Sequence, residues 1–324
     1  MADWNIVALD GETANPGDNP WTAIEALGNL VVYPRTETSQ TLLRARDADI
    51  LLTNKVVIDD ALMQRLPRLK FIAVMATGFN VVDVAAARKR GIPVSNVPEY
   101  STDSVAQFVF AGLLSFIHRP ELHHDAIHDG DWQRSRSFSF WKQPTFELAG
   151  KTLGIVGLGK IGRAVARLAH AFEMKVVAHS RSHHHPLDVP DFRWLDVEEL
   201  FASSDIVSLH CPLTESNAGF VNHALLSRCK SSLILINTAR GGLINEVDLT
   251  AALNAGDIAG AILDVVSTEP IAANSPLLSA QNCRLTPHMA WTTIEARRRL
   301  MQTTAENISQ FLVGDPINQV SLPN

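Results

Sequence analysis

A glycine-rich segment, Gly157–Gly162 (GLGKIG), constrains the fold of this chain more than any other feature of its sequence. It directly follows the apolar run Leu153–Val156 and precedes a helix-like pattern over Arg163–Phe172. Glycines spaced as G-x-G-x-x-G between a strand and a helix allow a tight turn, close approach of a pyrophosphate and close helix–strand packing. The helix N-terminus then offers free N–H groups to phosphates. The motif predicts a dinucleotide site, and a glycine turn without a ligand is the less favoured alternative.

Short β-rich runs alternate with helix-like segments on both sides of this motif. In the first hundred residues the runs are Asn5–Leu9, Leu30–Tyr33, Ile50–Leu52, Phe71–Met75 and Pro93–Val97, with helix-like segments at Ile58–Leu66 and Val82–Lys89. From Lys151 onward the runs are Leu153–Val156, Val176–Ala178, Ile206–Leu209, Leu233–Ile236, Ile258–Leu263 and Arg284–Leu285. This alternation is typical of parallel sheets with helices on both faces. It predicts an α/β protein with two doubly wound units.

Three segments lie outside the alternation. Thr102–Ile117 is predicted to form a long apolar helix, with Ser101 as its N-cap. Residues 119–149 are polar with scattered aromatic side chains, and we expect them to be irregular. The amphipathic segment Ile294–Leu312 lies too far along the chain from the first sheet to be assigned by pattern.

Composition narrows the class of protein. The chain is 46% hydrophobic and 19% charged, which excludes intrinsic disorder, and its net charge of −6 argues against a basic nucleic-acid or membrane-surface binder. Its three cysteines form no CxxC pair, which disfavours a disulfide framework and a cysteine-rich zinc site. No signal-peptide pattern is present at the N-terminus, and the apolar run Phe108–Ile117 is shorter than the ~20 residues of a membrane span. We expect a cytoplasmic protein without nucleic-acid or membrane partners.

The residues that follow the next predicted strand after the glycine motif indicate which cofactor is bound. An acidic residue about 20 positions beyond the glycines binds the ribose hydroxyls when the cofactor is NAD. Here the run Val176–Ala178 leads into Ser180 and Arg181 without a carboxylate. An uncharged serine beside a guanidinium would tolerate and pair with a 2′-phosphate, which favours NADPH over NADH. In the alternative, Arg181 is a solvated residue that stacks on adenine. The tract His183–His185 is interpreted as a solvated loop tip.

Three charged or titratable side chains follow predicted strands of the second unit: Arg240, Glu269 and His288. If the strands are parallel, all three lie at the carboxyl edge of the sheet, where α/β proteins bind ligands. Reduction of a 2-keto acid needs a cation to hold the carboxylate and an acid to protonate the carbonyl oxygen. Arg240 matches a carboxylate bidentately, and His288 is suited to proton transfer. Glu269 would favour the imidazolium and orient the ring. Ordinary capping roles for all three together are less favoured.

Several motifs, in order, resemble the D-isomer-specific 2-hydroxyacid dehydrogenase family, and within it the glycerate dehydrogenase and hydroxypyruvate reductase branch. The resemblance runs nearly end to end. The stretches that carry it are ATGFNVVDV (Ala76–Val84), NVPEYSTDSVAQ (Asn96–Gln107), ELAGKTLGIVGLGKIG (Glu147–Gly162), LHCPLT (Leu209–Thr214), NTARGGLI (Asn237–Ile244), DVVSTEP (Asp264–Pro270) and TPHMAWTTIEARRRL (Thr286–Leu300).

The resemblance implies a Rossmann NAD(P)-binding domain over residues 101–290 and a discontinuous, flavodoxin-like substrate domain made of residues 1–100 and 291–324. The active site would lie in the cleft between these domains. Such proteins are usually homodimers, and residues 101–149 would form an arm that embraces the partner. Trp141 in this arm could reach the partner's active site, although an aromatic side chain at such a place more often anchors packing.

The resemblance also assigns site residues. Arg240, Glu269 and His288 would be catalytic, while Thr77 and Gly78 would offer backbone N–H groups to the substrate carboxylate, alongside Arg240 and His288. Asp264 would contact the nicotinamide amide. The full set of implied cofactor-binding residues is Gly157, Leu158, Gly159, Lys160, Ile161, Gly162, Ser180, Arg181, Cys211, Pro212, Thr238, Ala239, Asp264 and His288.

The implied activity is reduction of a small 2-keto acid by NAD(P)H, with hydroxypyruvate and glyoxylate giving D-glycerate and glycolate. A dehydrogenase for another D-2-hydroxy acid is the nearest alternative, and a nucleotide-sensing, corepressor-like binding protein is the alternative from a different class. The histidines at 118, 123, 124 and 128 invite a metal site, but the resemblance places them in or beside the arm. We therefore predict no metal.

Overall fold

The computed structural model describes residues 4–183 and 186–320. Its strands are β1 Asn5–Ala8, β2 Asn29–Val32, β3 Ile50–Thr53, β4 Phe71–Val74, β5 Val94–Ser95, β6 Thr152–Val156, β7 Lys175–His179, β8 Arg193–Trp194, β9 Ile206–Leu209, β10 Ile234–Asn237, β11 Gly260–Leu263 and β12 Cys283–Leu285. Its helices are α1 Thr22–Glu25, α2 Thr38–Ala45, α3 Asp60–Gln64, α4 Val84–Lys89, α5 Thr102–His118, α6 Pro120–His128, α7 Asp131–Arg134, α8 Lys160–Ala171, α9 Val197–Ser203, α10 His223–Leu226, α11 Glu246–Ala255 and α12 Ile294–Leu312.

The chain divides into two compact units, with boundaries after Ser101 and after Trp291. The strands of the first unit form a parallel sheet in the order β2-β1-β3-β4-β5. This is the flavodoxin-like order. The second unit has a parallel sheet in the order β12-β11-β10-β9-β6-β7-β8, which is the Rossmann order extended by one strand. The predicted α/β class with two doubly wound parallel sheets is confirmed.

In the first unit, the central strands β3 and β4 are buried along their whole length. Helix α12 covers this sheet, and the ring of Phe311 stacks on Phe71 with 4.5 Å between ring centroids. The start of α12 is tied to the loop after β1 by a guanidinium–carboxylate pair, in which Arg297 Nη2 lies 2.6 Å from Asp18 Oδ2. An amphipathic helix distant in sequence thus belongs to the core of this unit.

In the second unit, the long apolar helix α5 packs beside α8 on one face of the sheet. Phe110 of α5 stacks on Phe172, with 5.2 Å between ring centroids. A side chain at Gly112 of α5 would lie 2.9 Å from Ile262 Cγ2 in strand β11, so this glycine allows the helix to approach the sheet closely. Helix α5 thus belongs to the core of the second unit.

The structure differs from the sequence-based predictions at three places. Residues 119–149, expected to be irregular, contain α6 and α7; α6 begins at Pro120, whose missing N–H costs nothing in the first turn of a helix. Strand β8 was not predicted, because a two-residue edge strand carries no periodic pattern. Helix α8 begins at Lys160, inside the glycine motif, three residues before the predicted start.

Candidate active site

At two of its three glycines, the turn after β6 is too closely packed for a side chain. Gly157 has φ +100°, and an added Cβ would lie 2.6 Å from the N atom of Cys211. A Cβ at Gly162 would lie 2.4 Å from the carbonyl oxygen of Gly157, so the first turn of α8 packs directly on the loop. These two glycines therefore serve the turn and the helix–strand packing, as the motif predicted.

Gly159 differs from its two neighbours in the motif. A Cβ there would meet no described atom within 4 Å, so space lies in front of the backbone at this position. Gly159 is the N-cap of α8, and as a glycine it has no side chain of its own that could cap the N–H groups of the first turn. The side chains of Leu158 and Ile161 pack into the core, which leaves their backbone at the turn. Open space at the N-terminus of a helix fits the phosphates of a dinucleotide.

Strand β7 is the neighbour of β6 in the sheet, and the residues at its end follow next to the glycine turn in the sheet order. His179 Nδ1 is 3.1 Å from the carbonyl oxygen of Leu195, and Ser180 is half-buried. Arg181 is exposed, and no acidic residue stands between His179 and His183 in the chain. The ring of His183 stacks on Trp194 with 4.7 Å between centroids. The other two members of the histidine tract, 184 and 185, lie outside the described residues.

The segment after β9 lies directly beside the glycine turn, since an added Cβ at Gly157 would meet Cys211 and His210. Burial raises the pKa of the Cys211 thiol, and the positive charge of Arg181 acts in the opposite direction, so the two residues are near each other. Pro212 follows, and its carbonyl oxygen accepts a hydrogen bond from Asn217 Nδ2 at 2.9 Å. Burial lowers the pKa of His210 to about 4, and its Nε2 lies 2.9 Å from the hydroxyl of Ser208. His210 is therefore a neutral structural residue beneath the glycine turn.

After β10, buried Asn237 shapes the loop that carries Arg240. Its Nδ2 donates to the carbonyl oxygen of Arg240 at 2.9 Å, and its Oδ1 accepts from the N–H of Ala239 at 3.0 Å. The hydroxyl oxygen of Thr238 is buried and has no hydrogen-bond partner among the described residues. An orphaned hydroxyl at this position fits contact with a bound cofactor.

Gly241 brings the loops after β10 and β11 together. An added Cβ at Gly241 would lie only 1.9 Å from the carbonyl carbon of Val266, so no other residue fits. The carboxylate of Glu246 adds a second connection, since its Oε1 accepts from the N–H of Ser267 at 2.6 Å. Arg240, which immediately precedes this glycine, is thereby held next to the loop that carries Glu269.

Glu269 and His288 form a direct pair. His288 Nδ1 lies 2.6 Å from Glu269 Oε2, and Glu269 Oε1 accepts from the N–H of Val266 at 3.3 Å. Both side chains are partly exposed, at 28% for His288 and 31% for Glu269. The carboxylate orients the ring through Nδ1, which leaves Nε2 as the nitrogen that can exchange a proton with a substrate.

Asp264 is almost completely buried, at 1% exposed, directly after β11. Its Oδ1 accepts from the hydroxyl of Thr286 at 2.7 Å and from the N–H of Met289 at 2.8 Å, while Oδ2 accepts from the N–H of Ala290 at 2.8 Å. Burial raises the pKa of Asp264, and these hydrogen bonds act against that shift. Its predicted contact with the nicotinamide amide stays a prediction.

Some predicted residues lie elsewhere. Thr77 and Gly78 follow β4 in the first unit, where the Thr77 hydroxyl donates to the carbonyl oxygen of Val97 at 2.9 Å; their role toward a substrate stays a prediction. Trp141 is 72% exposed in the predicted arm. The rings of His124 and His128 are 4.4 Å apart, and no group of three or more metal-ligating side chains occurs within residues 4–183 and 186–320.

Sequence reasoning missed several residues that shape the site: Asn237, Gly241, Glu246, Thr286 and His210. A weak signal was present for two of them, because Asn237 and Thr286 lie at the carboxyl ends of strands, where α/β proteins concentrate functional side chains. Their partners are backbone groups and carboxylates of other loops, which no local pattern reveals.

The fold and the glycine turn together are typical of nucleotide-binding dehydrogenases. Residues 110–290 match the model of a family described as "D-isomer specific 2-hydroxyacid dehydrogenase, NAD binding domain". The chain belongs to the D-isomer specific 2-hydroxyacid dehydrogenase family, and the resemblance noted in the sequence is confirmed.

Individual relatives agree with this assignment. A hydroxypyruvate reductase of Blautia hydrogenotrophica is 44% identical over 319 residues, which cover 98% of this chain and 99% of that protein. A glycerate dehydrogenase of Methylorubrum extorquens is 38% identical over 293 residues, 89% of this chain and 90% of its own. A solved acyclic imino acid reductase in complex with NADPH and D-Arg superposes with a TM-score of 0.85 at 30% identity, covering 98% of this chain and 100% of that one.

The family and the site together make this protein an oxidoreductase that transfers hydride between a nicotinamide dinucleotide and a small 2-keto or 2-hydroxy acid. Within the described residues, none of the helices combines the length and the apolar character needed to cross a membrane.

Proposed function

We propose that this protein reduces hydroxypyruvate to D-glycerate, and glyoxylate to glycolate. The observation that carries the proposal is the 2.6 Å contact between Glu269 and His288, with Glu269 on the loop that packs against the one holding Arg240. The end-to-end similarity to a hydroxypyruvate reductase supports the choice of substrate.

Each side chain of this set has a role in the proposed reaction. The guanidinium of Arg240 binds the substrate carboxylate through two parallel hydrogen bonds. His288 donates a proton from Nε2 to the carbonyl oxygen, and Glu269 stabilises the charged ring and fixes its orientation through Nδ1. A bound nicotinamide dinucleotide would supply the hydride. The phosphates of that cofactor would be bound at Gly159 and the first turn of α8, with Thr238 also in contact.

We further propose that NADPH is the preferred cofactor. In support, Arg181 is exposed beside Cys211 near the glycine turn, and the segment 179–183 holds no carboxylate that would repel a 2′-phosphate. A guanidinium pairs strongly with phosphate, whereas NADH offers only ribose hydroxyls at the same position.

The roles of the units and the assembly are also proposals. The second unit, 102–291, would be the NAD(P)-binding domain and the first the substrate domain. The predicted arm is rich in exposed aromatic rings, with Phe138 at 91% and Trp141 at 72% exposed, as expected of a surface that a second copy covers in a homodimer. The three cysteines are free, which supports a cytoplasmic location.

Steady-state kinetics with each reduced cofactor tests the proposal. We expect kcat/KM for hydroxypyruvate and glyoxylate to exceed kcat/KM for pyruvate and for bulkier 2-keto acids. If the protein turns over only a different keto acid, the proposed substrate is wrong and the proposed hydride and proton transfer still stands. No turnover with any small 2-keto acid at micromolar protein, together with tight NADPH binding, would favour a nucleotide-sensing binding protein instead.

A further inference from the structure

The turn that carries His288 has an unusual backbone. His288 has φ +54°, in the left-handed region that side chains other than glycine seldom occupy. Such a conformation persists only where the surroundings hold it.

The backbone of His288 is bonded on both sides. Its N–H donates to the carbonyl oxygen of Asp264 at 2.8 Å, and its carbonyl oxygen accepts from Trp291 Nε1 at 2.9 Å. The next residues, Met289 and Ala290, donate their N–H groups to the two carboxylate oxygens of Asp264, at 2.8 Å each. Asp264 is therefore the common acceptor for the turn.

Thr286 and Ser104 close this network at its two ends. The hydroxyl of Thr286 donates to Asp264 Oδ1 at 2.7 Å, and the buried hydroxyl of Ser104 donates to the carbonyl oxygen of Ala290 at 2.7 Å. Thr286 is the only side-chain donor among the groups that bond the Asp264 carboxylate in the described part of the chain. Its hydroxyl can be removed without altering the backbone.

We propose that Thr286 is a positioning residue for proton transfer, because its hydroxyl orients the buried Asp264 carboxylate that holds the His288 turn. The role rests on the proposed function, in which His288 is the proton donor. Burial raises the pKa of Asp264 and the Thr286 hydrogen bond opposes this, so the hydroxyl also favours the charged carboxylate. A protonated carboxyl would present an O–H to groups that are themselves donors, and the turn would keep only the carbonyl oxygen as a full acceptor.

The test compares Thr286→Val with Thr286→Ser. Valine keeps the shape and removes the donor, so we expect kcat with hydroxypyruvate to fall about 10- to 100-fold while KM changes less than threefold, since chemistry and not binding is affected. Serine restores the donor and should recover at least half of the wild-type kcat. Thr250→Val is the matched control, because the Thr250 hydroxyl in α11 is buried without a partner among the described residues. Its kcat should stay within twofold of the wild type.

A second measurement does not depend on turnover. Nitrogen-15 imidazole spectra of the protein should show one sharp set of His288 resonances in the wild type and in Thr286→Ser, and broadened or shifted ones in Thr286→Val. A lower melting temperature of Thr286→Val, with kcat and the His288 resonances unchanged, would overturn the proposal. If the wild type turns over no keto acid, the proposed function fails, and the His288 spectra of the valine variant still decide whether Thr286 orients the ring.

Discussion

Two parts of the second unit differ in how their side chains are held. One is the set of loops that carry Arg240, Glu269 and His288, and the other is the segment after β7 that carries Arg181. The proposed catalytic side chains lie on loops 238–242, 264–270 and 286–290, and buried Asn237 and Asp264 hydrogen-bond the first and the last of these loops. On the nucleotide side, segment 180–183 ends in exposed residues, Arg181 among them. The comparison indicates that buried hydrogen bonds hold the loops of the proposed catalytic residues, whereas the residues proposed to distinguish NADPH from NADH lie on an exposed segment.

Replacing His288, the proposed proton donor, should have the largest effect. For His288→Ala we expect kcat with hydroxypyruvate to fall about 10²- to 10⁴-fold, the usual contribution of a general acid. Stopped-flow measurement of cofactor oxidation checks this, with His223→Ala, an exposed histidine of α10, as the control. A loss below tenfold would mean that another group supplies the proton and that the Glu269–His288 pair is structural.

Replacing Arg240 by lysine keeps the charge and removes the planar fork. We expect kcat/KM for hydroxypyruvate to fall about 10- to 100-fold, mostly through KM, because a lysine cannot bind a carboxylate bidentately in the same way. NADPH affinity, measured by fluorescence titration, should stay within twofold. Equal losses in substrate and cofactor binding would indicate that the loop after β10 has collapsed instead.

Replacing Arg181 in the exposed segment after β7 should change cofactor binding and leave the chemical step unchanged. Arg181→Ala is expected to weaken NADPH binding about tenfold through the lost charge-assisted hydrogen bond, with NADH binding and kcat nearly unchanged. Dissociation constants for both cofactors check this, and Arg88→Ala, an exposed arginine of the first unit, is the matched control. Equal losses for NADPH and NADH would contradict phosphate pairing and favour stacking on adenine.

The last prediction concerns the free energy of unfolding and not catalysis. The folded-state pKa of His210 is about 4, below the usual 6.5, so the unfolded chain binds the proton more readily as the pH falls between these values. The protein should therefore lose about 2 to 3 kcal/mol of unfolding free energy from pH 6.5 to pH 4 through this residue. Urea unfolding of His210→Gln should show a shallower decline than the wild type. An identical pH dependence would mean that His210 is accessible to protons.

Regular elements were the part of the fold that could be predicted. Helix α12 has the predicted bounds Ile294–Leu312, and strand β9 the predicted bounds Ile206–Leu209. Each is long enough, or apolar enough, to show its period locally. Strand β8 and helices α6 and α7 were missed because short elements owe their form to neighbours and to end effects such as Pro120.

The candidate site divides in the same way. Residue types that follow strands, such as Arg240, Glu269 and His288, were identified because parallel strands deliver their ends to one edge. Their supporting residues were not. Ser104 and Ala290 are 186 positions apart yet share a buried hydrogen bond.

The amino-acid sequence alone determined the α/β class, the dinucleotide turn and the kinds of side chain available for chemistry, because hydrophobic period and glycine spacing act over a few neighbouring residues. Only the tertiary structure decided that Glu269 contacts His288 and that Thr286 bonds the carboxylate beneath it. A hydrogen bond needs two groups within about 3 Å in the right direction, and that closeness is a property of packed loops.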